Sequence, residues 1–547
     1  GAAAGAVISG LPLLMTYLFA EASSRPAIPF EEAIRGSLNP AALLTFLVGD
    51  LFGALDPGVE YWGPSSAGWG NGDLWLSQNM SELYLGALPA LAIFTIGITR
   101  GLLWEREMRF YTVACLLVLS YALGRFTPVF SVAFDYLPVV DAFRRPADAT
   151  FVVGALMSIQ AGYVCHRCAT GMIPSVSRFT KLLEVSLPVF VFIAAFLVAI
   201  FCGKLDVAWK PILNAAGWCA ASAAALGLLI AIGRKRPVLV AAVVAGLVGA
   251  DLSANNGPNE STALTPERYE FLQPDTRNET VRLLKDKLRR NPGSPWRDRV
   301  ELVGLGYEWP NASLIHGFDH VLGNNPLRLK VITDAVGAGD TIAGPDQRHF
   351  TPLFPSYRSL LCNMMGLKFI ASSIPIEQVD HRLAPGDLRM IARTKDAYLY
   401  ENPRAFPRVM FVPDWQLANF DELIRTGAWP RFDPLRTVLL DQPPKPQAGQ
   451  SAVTGSMAGN SVALKTYENT EVEVLVDAPS AGFLVLYDVW HPWWQATVDG
   501  EPVDILRANV LFRAVQIPAG KHAVHFAFSP LTGAFAELSE MAESQIQ

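Results

Sequence analysis

The most regular feature of the chain is a series of uncharged apolar segments in its first half. Residues 185–203 and 211–233 hold no charged side chain, and 237–250 follows after a single polar break. The first two match the ~20 apolar residues that a helix needs to cross a bilayer's hydrocarbon core. The break is the basic run 233–236, Gly-Arg-Lys-Arg, which resists translocation and predicts a cytoplasmic loop. The chain after Leu252 is therefore expected beyond the outer face of the membrane.

Four further apolar segments extend this pattern toward the start of the chain, at 2–20, 83–99, 110–124 and 149–165. The short loops assigned to the cytoplasmic side are basic, whereas the long loop 21–81 carries few bases and suits the outer side. The basic residues of the inner loops are Arg100, Arg106, Arg109, Arg167, Arg178 and Lys181. Residues 1–252 are thus predicted to form a polytopic α-helical membrane domain with about seven spans.

The pattern changes after residue 252, where prolines, asparagines and charges become frequent. Short apolar runs broken by Pro and Gly predict an extracytoplasmic α+β region over 253–450, with an amphipathic helix at 277–290. Later alternation of period two predicts strands, with a hairpin turn at Asp499-Gly500. Closely spaced strands without a helical insert favour a C-terminal antiparallel β-sandwich at 461–530, followed by a tail at 531–547.

Composition agrees with this division. Of the 547 residues, 51% are hydrophobic and 17% are charged, against about 25% charged residues in a typical soluble domain. The net charge of −6 leaves no basic footprint, so nucleic acid is not expected as a partner. Cys165 and Cys168 form an isolated CxxC pair, which we interpret as two small apolar residues at a helix end.

The last predicted strands carry a specific motif, YDVWHPWWQATVDGEPVDILRANVLFRAVQIPAGKHAVHFAFSP. With FRRPAD at 143–148, YENPRAFPRV at 400–409 and SLNPAALLTFLVGDLFG at 37–53, it resembles the YfhO family of bacterial membrane proteins. That family is regarded as similar to the GT-C glycosyltransferases, polytopic enzymes that use polyprenyl-phosphate-linked sugars outside the cytoplasmic membrane. The resemblance implies a multi-pass protein of the bacterial cytoplasmic membrane. Its implied partners are a polyprenyl-phosphate sugar donor, membrane lipid and a cell-envelope glycan or polymer acceptor.

The GT-C resemblance also implies a catalytic acid in the first extracytoplasmic loop, which would lie upstream of Gly1. Family members usually close with a further span, whereas 531–547 is too short and too polar to be one. The chain begins inside an apolar run and shows neither a basic leader nor a cleavage site. We therefore expect it to be part of a longer protein.

Asp50 is the candidate catalytic residue within this chain. It follows an apolar segment that could dip into the membrane, and an acid at that depth is more often functional than one in water. The alternative is the solvated end of an interfacial helix. Arg144 and Arg145 precede a span and are candidate phosphate ligands, because a guanidinium binds phosphate through two parallel hydrogen bonds. Snorkelling, or pairing with Asp141 or Asp148, is the alternative for both arginines.

Trp69 and Glu60 in the long outer loop are candidate substrate-binding residues. Trp69 belongs to a group of aromatic residues interleaved with glycines, which suits either a belt at headgroup level or a sugar-stacking surface. His491, Trp493 and Trp494 could stack a sugar at the edge of the β-module, with core or interface packing as the favoured alternative.

The sequence HGFDH at 316–320 places two histidines at a zinc-like spacing. No obvious third ligand follows, and the flanking Pro, Gly and Asn residues favour loops, so no metal site is predicted. The sequence establishes no cofactor. A divalent metal bound together with the lipid-linked donor stays open as an alternative.

Three functions are compatible with these patterns. The first is a glycosyltransferase that moves a sugar from a polyprenyl-phosphate donor to a cell-envelope acceptor. The second is a non-catalytic envelope scaffold or polymer-binding membrane protein. The third, a transporter of envelope precursors, is weakened because the predicted spans hold almost no charges between their ends. Walker A, GxSxG and HExxH patterns are absent from the sequence, so nucleotide and serine-hydrolase chemistry are unsupported.

Overall fold

The chain divides into two compact units. The helical unit comprises Ala27–Arg268, and the sheet unit comprises Gly1–Pro26 and Tyr269–Gln547. The structure is a computed structural model. It describes residues 2–24, 28–55, 59–64, 66, 69, 82–137, 140–256, 266–288, 298–323, 325, 327–337, 343–445 and 461–546.

The first helix, α1 (Ala2–Glu21), belongs to the sheet unit, where its Leu18 packs against Trp493 and Ala534. The helical unit contains α2 (Phe30–Ala33), α3 (Ala87–Leu91), α4 (Arg109–Ala122), α5 (Pro128–Tyr136), α6 (Thr150–Thr170), α7 (Arg178–Phe201), α8 (Leu205–Ile232) and α9 (Pro237–Asn255). A 3-10 segment, Pro40–Phe46, precedes Asp50, and α3 continues as a π-helix, Ala92–Gly97.

Four helices in the described part of the chain are long and apolar enough to cross a membrane, namely α6 with its preceding turn (Pro146–Thr170), α7, α8 and α9. On α7, Phe179, Phe190 and Phe201 are 68%, 69% and 93% exposed. A helix that is apolar on all sides suits a lipid environment. These helices correspond to the predicted spans at 149–165, 185–203, 211–233 and 237–250.

The other three predicted spans coincide with shorter apolar helices, Ile8–Glu21, Ala87–Gly97 and Arg109–Ala122. At 1.5 Å per residue, Ala87–Gly97 and Arg109–Ala122 do not reach across a hydrocarbon core of about 30 Å, whereas the whole of α1, with 20 residues, has about that length. The helical and membrane-compatible character of the N-terminal half is therefore confirmed, and the number of seven spans stays a prediction.

The sheet unit continues after α1 with an irregular mixture of short elements. They are α10 (Glu279–Leu288), β1 (Arg299–Val303), α11 (Ala312–His316), β2 (Asp319–His320), α12 (Lys330–Val336), α13 (Leu360–Met364), β3 (Leu367–Ser372), α14 (Ile376–Val379), β4 (Arg389–Arg393), β5 (Tyr398–Glu401), β6 (Val409–Val412), β7 (Asp414–Leu417), α15 (Phe420–Thr426) and β8 (Thr437–Leu440). The C-terminal elements are β9 (Ser461–Tyr467), β10 (Glu471–Ala478), β11 (Gly482–Val489), β12 (Trp494–Val498), β13 (Glu501–Val503), β14 (Leu506–Ala508), β15 (Phe512–Ile517), β16 (Gly520–Phe528) and α16 (Pro530–Ile546).

The first sheet is mixed and has the strand order β2-β1-β3-β5-β4. Its β1 runs parallel to β2 and β3, and the remaining pairs are antiparallel. Val281 and Leu284 of α10 share a buried cluster with Val300 and Leu302 of β1. The predicted amphipathic helix is thus confirmed, and its apolar stripe belongs to the core of the first sheet.

The second sheet is antiparallel throughout, with the order β13-β12-β16-β10-β9. The predicted hairpin turn is confirmed, since Val498 pairs with Glu501 across it. Asp499 and Gly500 have φ values of 53° and 88°, as a type I′ hairpin turn requires.

The third sheet has the order β6-β11-β15-β14-β8-β7 and is antiparallel except between β7 and β8. Three of its strands, β6, β7 and β8, precede the predicted 461–530 module. Phe411 and Leu484 of this sheet share one buried cluster with Val474 and Phe526 of the second sheet. The C-terminal region is therefore rich in antiparallel sheet, as predicted.

A charged cluster is buried at the end of β11. The Asp488 carboxylate accepts hydrogen bonds from Arg299 and, at 3.2 Å, from Arg408 Nη1. Arg513 Nη2 lies 3.3 Å from its second oxygen. Burial acts to raise the pKa of Asp488, but the three guanidinium groups hold that pKa below its ordinary value. The arginines flank or belong to β1, β6 and β15, so one carboxylate ties the first sheet to the third.

Candidate functional site

Asp50 lines a cavity of about 650 Å³ in the helical unit, which we call the acidic cavity. Its polar and aromatic lining residues are Asp50, Trp62, Lys210, Asn214 and Asn255. They come from the segment after Pro40–Phe46, from α8 and from the end of α9. A polar cavity bounded by apolar helices has the usual character of a small-molecule site, in which a few polar groups fix orientation.

The backbone around Asp50 holds the carboxylate in place. Asp50 has a φ of 58°, a left-handed conformation that Asp tolerates better than most residues. Its Oδ1 accepts a hydrogen bond of 2.8 Å from the Leu55 backbone N–H. The carboxylate is therefore positioned by the turn that follows the 3-10 segment.

Glu82 is an acidic residue that the structure brings against Asp50. Its Oε2 accepts a 3.2 Å hydrogen bond from the Asp50 backbone N–H. Its Oε1 is buried and has no hydrogen-bond partner in the described part of the chain. Burial and, second, the charge of Asp50 raise the pKa of Glu82 well above its ordinary value. A carboxyl group whose pKa is raised by burial and by a second carboxyl group is a common feature of acid–base sites.

A hydrogen-bond network beneath the cavity is centred on Asp251 of α9, which is 1% exposed. Its Oδ1 accepts bonds from Tyr84 Oη at 2.7 Å and Asn255 Nδ2 at 2.7 Å, and its Oδ2 accepts one from the Ala87 N–H at 2.8 Å. Asn214 Nδ2 donates to Asn255 Oδ1 at 2.8 Å. The network fixes the start of α3 and the two amide side chains that line the acidic cavity.

A second cavity of about 530 Å³ in the same unit, the apolar cavity, is lined almost entirely by hydrophobic side chains. Leu43, Phe46 and Leu47 contribute to it, and Gly49 and Asp50 line the acidic cavity immediately afterwards. One short stretch of chain, 43–55, therefore borders both cavities. An apolar chamber next to a polar one suits a ligand with a lipid tail and a polar head.

Arg144 and Arg145, the predicted phosphate ligands, are engaged elsewhere in the helical unit. Arg144 Nη1 donates to Glu32 Oε1 at 3.3 Å, and Arg145 Nε lies 3.7 Å from Asp148 Oδ2. Neither arginine lines the acidic cavity. The pairing with Asp148 was one of the alternatives that the sequence left open for this arginine pair.

Trp69 and Glu60 have different surroundings. Trp69 is half-buried, its Nε1 donates to Trp62 O at 2.7 Å, and its ring meets Phe52 edge-on at 6.0 Å. Glu60 is exposed. Trp69 therefore helps hold Trp62, a lining residue of the acidic cavity, and it does not itself line that cavity.

Sequence reasoning missed several residues of this region. They are Glu82, Tyr84, Lys210, Asn214, Asp251 and Asn255. One signal was available, because Asp251 directly follows an apolar segment predicted to span, and acids at membrane depth are costly and often functional.

Both histidines of HGFDH form hydrogen bonds with backbone groups. The His316 ring contacts the Phe271 carbonyl through Nε2. For His320, Nε2 lies 2.9 Å from the Leu302 N–H and Nδ1 lies 2.8 Å from the Gly323 N–H. Within the residues that the structure describes, no group of three or more His, Cys, Asp or Glu side chains could hold a metal ion. No step is assigned to a divalent metal.

Comparisons with protein-family models, with curated proteins and with solved structures find no match to this chain.

Proposed function

We propose that this chain belongs to a membrane glycosyltransferase that transfers a sugar from a polyprenyl-phosphate donor to a cell-envelope acceptor. The acidic cavity is the proposed active site. The observation that carries the proposal is the hydrogen bond from the Asp50 backbone N–H to the Glu82 carboxylate, beside a cavity large enough for a sugar. The proposal includes a bacterial cytoplasmic membrane location, an extracytoplasmic sheet unit and a β-sandwich made by the second and third sheets.

Asp50 is the general base in this proposal. Repulsion between neighbouring carboxylates favours a state with one proton on the pair, and the raised pKa of Glu82 favours that proton on Glu82. The oxygen of the acceptor hydroxyl then attacks the anomeric carbon of the donor, and the Asp50 carboxylate takes the proton of that hydroxyl. The bond from that carbon to the phosphate oxygen breaks, and polyprenyl phosphate leaves with both electrons.

Lys210 is the cation that the described residues contribute to the lining of the acidic cavity. We place the donor phosphate against its ammonium group, since a lysine binds phosphate as a point charge. The isoprenoid chain of the same donor fits the apolar cavity, where it would contact Leu43, Phe46 and Leu47. Arg144 and Arg145 form the competing phosphate position predicted from the sequence.

Sugar transfer in proteoliposomes tests the proposal, with radiolabelled polyprenyl-phosphate glucose and mannose as donors and a cell-envelope glycan extract as acceptor. Asp50→Asn is expected to lower kcat by about a hundredfold or more with little change in KM, because general-base catalysis contributes about 10²–10⁴. Lys210→Met is expected to raise the donor KM about tenfold, the effect of losing about 1.4 kcal/mol of binding. Asp206→Asn, in the first turn of α8 and outside the cavity lining, is the matched control.

The outcomes separate the alternatives. A raised donor KM in Arg144→Ala and Arg145→Ala, with Lys210→Met unchanged, would move the phosphate to the arginine pair. Normal turnover by Asp50→Asn would remove Asp50 from the mechanism. If the wild-type protein transfers neither sugar, the proposal of a hexosyltransferase is wrong and a polymer-binding scaffold becomes the leading function.

A further inference from the structure

A third cavity, of about 750 Å³, lies in the sheet unit and is distinct from the acidic cavity. It is bordered by β12, β13, the segment before β12 and residues that follow β8. Its aromatic and polar lining includes Trp490, His491, Trp494, Gln495, Thr497 and Asp504. We call it the aromatic cavity.

The aromatic side of this cavity is held rigidly. The backbone N–H of Trp490 donates to Leu511 O at 2.7 Å, which fixes the backbone that carries this half-buried residue. The Arg513 guanidinium lies 4.0 Å from the centroid of the Trp494 ring. His491 meets Trp493 edge-on at 4.8 Å, and Trp493 itself is buried in the core, where its Nε1 donates to Glu537 at 2.9 Å. The Trp494 indole is thus held by Arg513, and Trp490 and Trp494 both line the cavity.

The two charged side chains among the described polar lining residues compensate each other. Lys445 Nζ and Asp504 Oδ2, both from lining residues, form an ion pair of 2.5 Å. Gln495 and Thr497 offer neutral donors and acceptors. Burial and, second, the nearby Arg513 lower the pKa of His491 to about 4, so its imidazole is uncharged near neutral pH.

We propose that the aromatic cavity binds a neutral glycan. The apolar C–H face of a pyranose ring matches the face of an indole, and its hydroxyl groups match the amide and hydroxyl groups of Gln495 and Thr497. A lipid chain would leave these polar groups without partners. An anionic polymer would meet the Asp504 carboxylate, whose lysine partner is already engaged. Such a site would hold envelope glycan independently of any sugar transfer.

Isothermal titration calorimetry on the full chain in lipid nanodiscs tests this site, with maltohexaose, cellohexaose, laminarihexaose and chitohexaose as neutral probes and hexagalacturonate as the anionic probe. Saturable binding of at least one neutral probe is expected, with weaker binding of hexagalacturonate. Trp490→Ala is expected to weaken binding about tenfold, and Gln495→Ala about fivefold. Trp490→Phe, which keeps an aromatic face, should stay within about threefold of the wild type. Trp415→Ala, at an exposed indole on β7 outside this cavity, is the matched control.

The proposal is overturned if the wild type binds none of the four neutral probes or prefers hexagalacturonate. It is also overturned if Trp490→Ala and Gln495→Ala both bind as tightly as Trp415→Ala. Because Gln495 is exposed on β12, its replacement reports on the site even if Trp490→Ala does not fold. Asp50→Asn should bind the glycan normally, so failure of the transfer reaction and failure of this site are distinguishable.

Discussion

Arg348 Nε donates a 2.7 Å hydrogen bond to Glu301 Oε1, and neither side chain has any solvent exposure. The same oxygen accepts a 2.8 Å bond from Tyr357 Oη. The guanidinium also lies 4.6 Å and 5.0 Å from the ring centroids of Phe350 and Phe354. Glu301 Oε2 and Arg348 Nη2 have no hydrogen-bond partner in the described residues. The two buried charges therefore compensate each other, and Arg348 Nη1 also donates to Val336 O at 3.0 Å.

Removal of either partner should destabilise the sheet unit strongly. Arg348→Met or Glu301→Leu leaves an uncompensated buried charge, and the expected loss is about 3–5 kcal/mol. The double variant should lose less than the sum of the two, because neither charge is then left alone. Chemical denaturation in detergent measures all three. Lys330→Met is the control. Lys330 forms an ion pair with Asp334, and the two side chains are 62% and 39% exposed. The expected loss of unfolding free energy there is about 0–1 kcal/mol. Strictly additive losses would refute the pairing argument.

The local parts of the fold were predictable, and the non-local ones were not. Val472, Val474 and Val476 are buried on one face of β10, as alternation of period two predicts. The recruitment of β6 and β8 into the third sheet depends on pairing across long stretches of chain, which no local pattern encodes. The sequence likewise predicts Glu301 and Arg348 to be exposed, because charged residues are rarely buried unless paired, and no local pattern reveals this pair.

His320 should make the stability of the sheet unit depend on pH. Burial and, second, Arg328 lower its pKa to about 3, against an ordinary value of 6.5. Backbone N–H groups face both ring nitrogens, so an added proton would meet a donor. Between these two pKa values the unfolded state binds more protons, and the stabilising contribution, complete above about pH 6.5, is lost as the pH falls toward 3.

Denaturation midpoints measured from about pH 7 down to about pH 4.5 test this dependence. His320→Asn should be less stable at neutral pH and should show a shallower decline on acidification, with His491 supplying part of the remaining slope. His381→Asn, at an exposed histidine, should leave the slope unchanged. An unaltered slope in His320→Asn would contradict the assignment.

Glu82 should make stability depend on pH in the opposite direction to His320. Because its pKa lies well above the ordinary value of 4.5, the folded state holds this proton more tightly than the unfolded state. Its contribution to stability is largest at low pH and declines as the pH rises above about 4.5 toward the folded pKa. Glu82→Gln, which mimics the protonated form, should therefore become more stable relative to wild type as the pH rises.

Infrared difference spectroscopy reports this proton directly, through the carbonyl stretch of a protonated carboxyl group. The band assigned to Glu82 should be absent in Glu82→Gln. Its midpoint should move to lower pH in Asp50→Asn, because the repulsion from Asp50 is then removed. Asp206→Asn serves as the control. A midpoint unchanged by Asp50→Asn would show that the two carboxyl groups do not interact, and the proposed base would lose its partner.

The candidate site was only partly predictable for the same reason as the core. The segment before Asp50 is apolar and short, which singled out Asp50 from the sequence. Glu82 lies 32 positions away from Asp50, and the Tyr84–Asp251 hydrogen bond joins residues 167 positions apart. Neither relationship has a spacing rule, because each depends on how helices pack. Trp493 illustrates the converse, since a residue suited to sugar stacking is instead 5% exposed against Leu18 and Ala534.

Membrane orientation provides the last prediction. Helices α8 and α9 are joined by four residues, Gly233 to Arg236, so this loop must lie at one membrane face if both helices span. Its three consecutive bases predict a cytoplasmic loop, and the sheet unit is then expected outside. In intact cells a membrane-impermeant maleimide should label Lys521→Cys and should label Lys235→Cys only after permeabilisation. Lys521 has an 85% exposed side chain, and the six native cysteines are buried or half-buried, which keeps the background low. Labelling of Lys235→Cys in intact cells without labelling of Lys521→Cys would invert the topology, and an outer-face active site would then be excluded.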